Sequence, residues 1–155
     1  MASVLPQSMT LPIVNEERQD NGLSTNVLEN FCDYAYDFEQ NALKLRDGKH
    51  YFVYGNEAMK IWIYKATITA RFRYSAYSDR FGSEIFDLVG EVISNKLKKE
   101  EIKRYILEAI MVHPYMVAVK DIQLRPAKDG LEAHVWYQTV FIDDIEEVKC
   151  TVPMN

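Results

Sequence analysis

No run of 18 apolar residues occurs in this sequence, and no charged segment followed by an apolar one opens it. Neither a membrane-crossing helix nor a cleavable secretory signal is therefore expected. Cysteine is scarce: Cys32 and Cys150 lie far apart and form no CxxC, which suits a reducing compartment and two neutral thiols. Positive charge is also short. Eighteen Lys and Arg against 23 Asp and Glu leave a net charge of −5, which excludes a general nucleic-acid binder because phosphate neutralisation needs a basic face.

The chemistry of sites is equally thin. His50, His113 and His134 fall on different elements, without HxxxH or HExxH spacing and without a Cys/His cluster, so no metal site is expected. There is no GxxxxGK[ST], no GxGxxG and no GxSxG, so no nucleotide or other cofactor cradle and no nucleophile elbow. Ser83 in "FGSEIF" has no base marked for it and is better explained as a helix cap. Glu84 and Asp87 would share a helical face, and Asp143, Asp144, Glu146 and Glu147 cluster. A small cell-wall hydrolase using Glu84 with a second carboxylate is the enzymatic alternative, but acidic pairs of this kind are common on solvated faces. No catalytic residue is assigned.

What is present is a chain that is 48% hydrophobic and 26% charged, with ten Tyr and two Trp. Amphipathic rings serve cores and interfaces alike. Charge is unevenly spread: residues 1–40 hold seven acids and one base, residues 41–81 eight bases and three acids. Residues 1–30 mix Pro, Ser, Asn, Gln and Gly without a period, and are expected to be an arm that orders on a partner. Residues 31–155 are expected to form one α+β domain.

Within it, "YDFE" (36–39) and "HYFVYG" (50–55) have strand composition, separated by a turn at Asp47-Gly48. Met59, Trp62, Ile63, Ala66 and Ala70 fall on one helical face. "KATITARFRY" also alternates like a strand, and a helix over 56–73 is the preferred reading of the conflict. The connector "YSDRFGSEIFDLVG" (77–90) follows, with a short helical turn capped by Ser83. A second helix is expected over 99–112, with Ile102, Ile106, Ala109 and Ile110 inward and a stop before Pro114. "YMVAVKDIQLR" slips phase at Asp121, as a bulge would make it do. A turn at 128–130 leads into "LEAHVWYQTVFI", whose Leu131, Ala133, Val135, Tyr137 and Phe141 alternate, so a hairpin is expected. "IEEVKCTV" (145–152) is a candidate last strand, at an edge. The fold expected is two main helices on a small, mostly antiparallel sheet with a C-terminal hairpin.

Three stretches in order, "YDFE", "GNEAMKIWIYKATITARFRYSAYSDRFGSEIFDLVG" and "EIKRYILEAIMVHPYMVAVKDIQL", resemble the baseplate wedge and sheath-initiator family of contractile phage tails and related injection machines. The variant of Gram-positive phages and prophages is the most similar, and the resemblance spans 34–142. It implies a fold core shared with contractile sheath subunits. It also implies a structural, non-enzymatic role in the tail baseplate, assembled in the host cytoplasm without a membrane. The implied partners are wedge subunits, the tail tube and the sheath, with six copies per baseplate and sheath growth started by strand addition. The alternative binding role is an adaptor that holds a client peptide at its sheet edge.

The resemblance gives the connector residues Arg80, Phe81, Gly82, Ser83 and Glu84 a structural meaning: they set the angle between the helices. Where many members carry Glu-Pro-Arg as an anchor, this chain has His113-Pro114-Tyr115. These three, with Arg104 on the second helix and Val148, Cys150 and Val152 on the last strand, form the expected partner interface.

Overall fold

In the computed structural model, the described residues are 31–88, 95–128 and 130–153. The expected arm (1–30), the end of the connector and Asp129 of the hairpin turn lie outside them. The described part is α+β, with two helices and antiparallel sheets. It divides into two compact units, one up to Trp62 and one from Ile63 onward.

The first unit is built from two- and three-residue strands. β1 (Cys32–Tyr34) pairs antiparallel with β6 (Phe52–Tyr54), while β2 (Tyr36–Asp37) pairs with β3 (Ala42–Leu43), and β4 (Leu45–Arg46) with β5 (Lys49–His50). The 36–39 run is thus cut short. Asp37 accepts from the amides of Glu39 and Gln40, at 2.9 and 3.0 Å, and turns the chain after two residues. Asp47 and Gly48 make the expected turn, both at positive φ (52° and 75°). Alternation then sorts the faces: Val53 and Ala35 join Ala58 and Ile61 in a buried cluster, while Tyr34 stacks on Phe52 at 4.6 Å on the outer face.

Helix α1 (Asn56–Ile68) starts where the period predicts but ends five residues before the expected 73. The strand-like alternation in "KATITARFRY" is what wins there. Ala70 forms a parallel bridge with Ser83, which takes the backbone out of helical geometry. A 3₁₀ turn (Ile85–Leu88) follows, and the Ser83 hydroxyl accepts from the Ile85 amide at 3.2 Å, as a cap should.

Helix α2 (Asn95–Met111) begins four residues before the expected Lys99 and ends before Pro114 as predicted. Ile102, Ile106, Ala109 and Ile110 are all buried, and α2 packs along the strand that follows it, β7 (Met116–Ala127). Burial of each of these isoleucines contributes about 1.5–3 kcal/mol.

The C-terminal sheet has the order β7-β8-β9, comprising Met116–Ala127, Gly130–Thr139 and Ile142–Pro153. The predicted hairpin is therefore the first two strands of a three-stranded meander, and the last strand is longer than 145–152. β8 stops at Thr139, so Phe141 lies in the turn rather than on the strand. The register of β7 shifts between Val119 and Asp121, where the phase slip placed a bulge, and again between Met116 and Ala118. Ala133, Val135, Tyr137, Val148, Cys150 and Val152 fill one face completely.

Candidate assembly interface

The connector is clamped rather than loose. The Ser83 amide donates to the Thr69 carbonyl at 2.8 Å, and the Arg71 amide donates to the Ser83 carbonyl at 3.0 Å. The Arg71 side chain reinforces this, its Nε donating to the Asp79 carbonyl at 2.7 Å and its guanidinium facing the Glu84 carboxylate at 3.5 Å. Gly82 sits at φ +104°, and a Cβ there would lie 2.9 Å from the Thr69 carbonyl oxygen and 3.0 Å from Arg71 backbone atoms. Only glycine lets the two segments approach this closely. Phe81, Ile85 and Leu88 are buried and hold the loop down, whereas Phe86 is only half-buried. Arg80 is exposed. Glu84 thus ties the connector to Arg71.

The three residues at the end of α2 face inward. His113 is 1% exposed and Tyr115 2%, with Pro114 half-buried between them. The Tyr115 amide donates to His113 Nδ1 at 3.1 Å, and the Tyr115 ring meets Phe141 edge-on at 5.6 Å. Burial pushes the His113 imidazole down to about 3, so it is neutral at pH 7. His113 and Tyr115 therefore offer a partner no side-chain contact in this conformation. They form the corner by which α2 enters β7, with the Met116 amide donating to the His113 carbonyl at 3.1 Å.

Arg104 is exposed, but it is held by two carboxylates of its own helix, Glu101 at 2.5 Å and Glu108 at 2.6 Å. These are i,i+3 and i,i+4 pairs of the ordinary helix-surface kind.

Val148, Cys150 and Val152 point into the core, at 1%, 0% and 0% exposure. Burial pushes the Cys150 thiol up to about 12, with Thr67 beside it pulling slightly the other way. What β9 offers outward is its backbone edge. From Glu146 to Pro153 it pairs residue for residue with β8, from Tyr137 back to Gly130, without a shift. Its irregularity is confined to the turn end, beside Gln138. The opposite edge, β7, carries two register shifts and Pro126, both devices that discourage further pairing.

His134, on β8, is half-buried. Its ring nitrogens meet Glu132 and Glu147, each at 2.7 Å. Among the described residues no group of three or more His, Cys, Asp or Glu is placed to hold a metal ion, and no helix is long and apolar enough to cross a membrane.

The sequence reading missed Phe72. It is a bulky residue at φ +67°, 62% exposed, with the Arg71 guanidinium 4.6 Å from its ring centre. Only the strand-helix conflict in "KATITARFRY" hinted at unusual backbone there.

Among the described residues, the joint after α1 is clamped by backbone hydrogen bonds and the outer strand β9 keeps a regular register, features that hold and present a surface. The family comparison makes that specific: the chain belongs to the contractile injection system sheath initiator family, whose model matches residues 32–146. It is also 32% identical over 120 residues to the phage-like element PBSX protein XkdS of Bacillus subtilis (strain 168), covering 77% of this chain and 80% of that protein. The resemblance to tail proteins of Gram-positive phages and prophages is thereby borne out. The chain is a structural component of a contractile tail, one that serves to initiate the sheath.

Proposed function

We propose that this protein joins the wedge and tube of the baseplate to the first sheath ring, and that it starts the sheath by accepting a sheath strand along the outer edge of β9. Six copies around the tube would present six such edges. Residues 1–30 act as an arm toward a neighbour, and 31–155 as the initiator-like domain. The observation that carries the reading is the contrast between the two sheet edges. β9 is regular over Glu146–Pro153 and anchored by three buried side chains, whereas β7 is interrupted twice and contains Pro126. Strand addition uses main-chain hydrogen bonds, so buried Val148, Cys150 and Val152 serve it by fixing the strand from inside. His113, Pro114 and Tyr115 serve it indirectly, through the corner that positions the sheet. Arg104 is the most exposed of the interface candidates, and a wedge subunit reaching its side chain would compete with its pairs to Glu101 and Glu108.

The test is affinity capture of the tagged protein from cells producing the particle, with quantitative mass spectrometry. Sheath, tube and wedge subunits recovered together, in proportion to six copies of this chain, are the expected result. Capture of sheath without wedge or tube would remove the joining role and leave initiation alone.

A further inference from the structure

Two exposed patches of the C-terminal unit are complementary to each other. The first is the loop after α1. Phe72 is held outward in a left-handed backbone conformation, and Tyr74 and Tyr77 are exposed beside it, 51% and 38%. Tyr77 in turn leans on buried Phe81 at 4.5 Å, so this aromatic spur is rooted in the core. Arg73 and Arg80 are exposed within it, and neither makes an ion pair among the described residues. The second patch is the β8–β9 turn. Val140, Ile142 and Ile145 are 47%, 38% and 53% exposed around Asp143 and Asp144, which are likewise exposed and make no ion pair among the described residues.

A bulky residue at positive φ is rare and costly, and persists where surrounding structure enforces it. Here the Ala70–Ser83 bridge and the Arg71 contacts do so on either side of the loop. Exposed aromatic and aliphatic side chains interleaved with unpaired charges of opposite sign have the composition of two halves of one contact.

We infer that the Phe72 spur of one copy docks on the Val140–Ile145 turn of a second copy, with Arg73 and Arg80 facing Asp143 and Asp144. Because the two patches are different surfaces, the contact is head-to-tail, the kind that closes rings or propagates. It would set neighbouring copies side by side independently of the sheath strand. Both charge pairs lie at the surface, so the contact weakens as salt rises.

The test replaces Phe72 with a photo-crosslinking benzophenone amino acid in the full chain, irradiated as concentrated purified protein and again within assembled particles. A two-chain adduct mapping to residues 140–147 is expected. D143K/D144K should lower its yield several-fold, R73D/R80D should do the same, and the two sets combined should regain it. All four positions are exposed, so a circular-dichroism melt confirms that folding is unchanged. An adduct that maps elsewhere, no two-chain adduct in either preparation, or a loss that the combined variant does not regain overturns the inference. Sheath capture in the same particles reads the initiator role separately, so the two can fail independently.

Discussion

The Ser83 amide lies 2.8 Å from the Thr69 carbonyl, and the Ser83 carbonyl 3.0 Å from the Arg71 amide. This single bridge ends α1, starts the 3₁₀ turn and leaves Gly82 pressed against backbone. This joint sits in the connection between α1 and α2.

Gly82→Ala should therefore be costly. Left-handed geometry and backbone overlap at 2.9 Å act together, and the expected loss is roughly 2–4 kcal/mol in urea unfolding. Gly48→Ala is the control: its φ is +75° but no atom lies within 4 Å, so only the conformational cost of about 1 kcal/mol is expected. Equal losses at the two sites would show that the bridge does not enforce close approach.

His113 predicts an acid limb. Its folded-state value is depressed to about 3 from 6.5, so below pH 6.5 the unfolded chain binds a proton that the folded chain refuses. Stability from this group is complete above pH 6.5 and is lost as pH falls toward 3, by up to about 1.4 kcal/mol per pH unit. His113→Asn keeps an acceptor for the Tyr115 amide and should flatten the slope of unfolding free energy between pH 6.5 and 4.5. An unchanged slope would place the acid sensitivity elsewhere.

Tyr137 is fully buried, and its hydroxyl has no hydrogen-bond partner among the described residues. Burial, together with Glu146 opposite, pushes its ionisation well above the ordinary phenol range. Tyr137→Phe removes a desolvated polar group without changing the ring, and should be neutral or stabilising by about 1 kcal/mol in thermal or urea unfolding. A clear destabilisation would reveal a partner for the hydroxyl.

The cysteines should differ in reactivity. Cys150 is 0% exposed with its thiol pushed up to about 12, whereas Cys32 is half-buried and raised less. Iodoacetamide at neutral pH should modify Cys32 first and Cys150 only on unfolding, read by peptide mass spectrometry. Early Cys150 labelling in the native protein would mean that β9 detaches from the sheet.

Local pattern carried much of this fold. The start of α1 at Asn56, the stop before Pro114, the Ser83 cap and the bulge at Asp121 are all written in adjacent residues. The end of α1 was not, because the Ala70–Ser83 bridge joins residues 13 apart and overrides a helical period that Ala70 itself satisfies. The early start of α2 was hidden because "NKLK" carries no apolar period. The inward turn of His113 and Tyr115 was hidden for a different reason. Polar residue types look like surface in a sequence, and only the corner into β7 puts them inside. The last strand was legible as an edge, but not its contrast with β7, which lies in the pairing register of that strand.

Hydrogen–deuterium exchange along β7 and β9, with and without the sheath protein, decides whether β9 receives the sheath strand. Sheath binding is expected to slow exchange within residues 146–152 and to leave residues 116–127 unchanged. Protection of β7 instead, or of neither strand while sheath is bound, would contradict that role for β9.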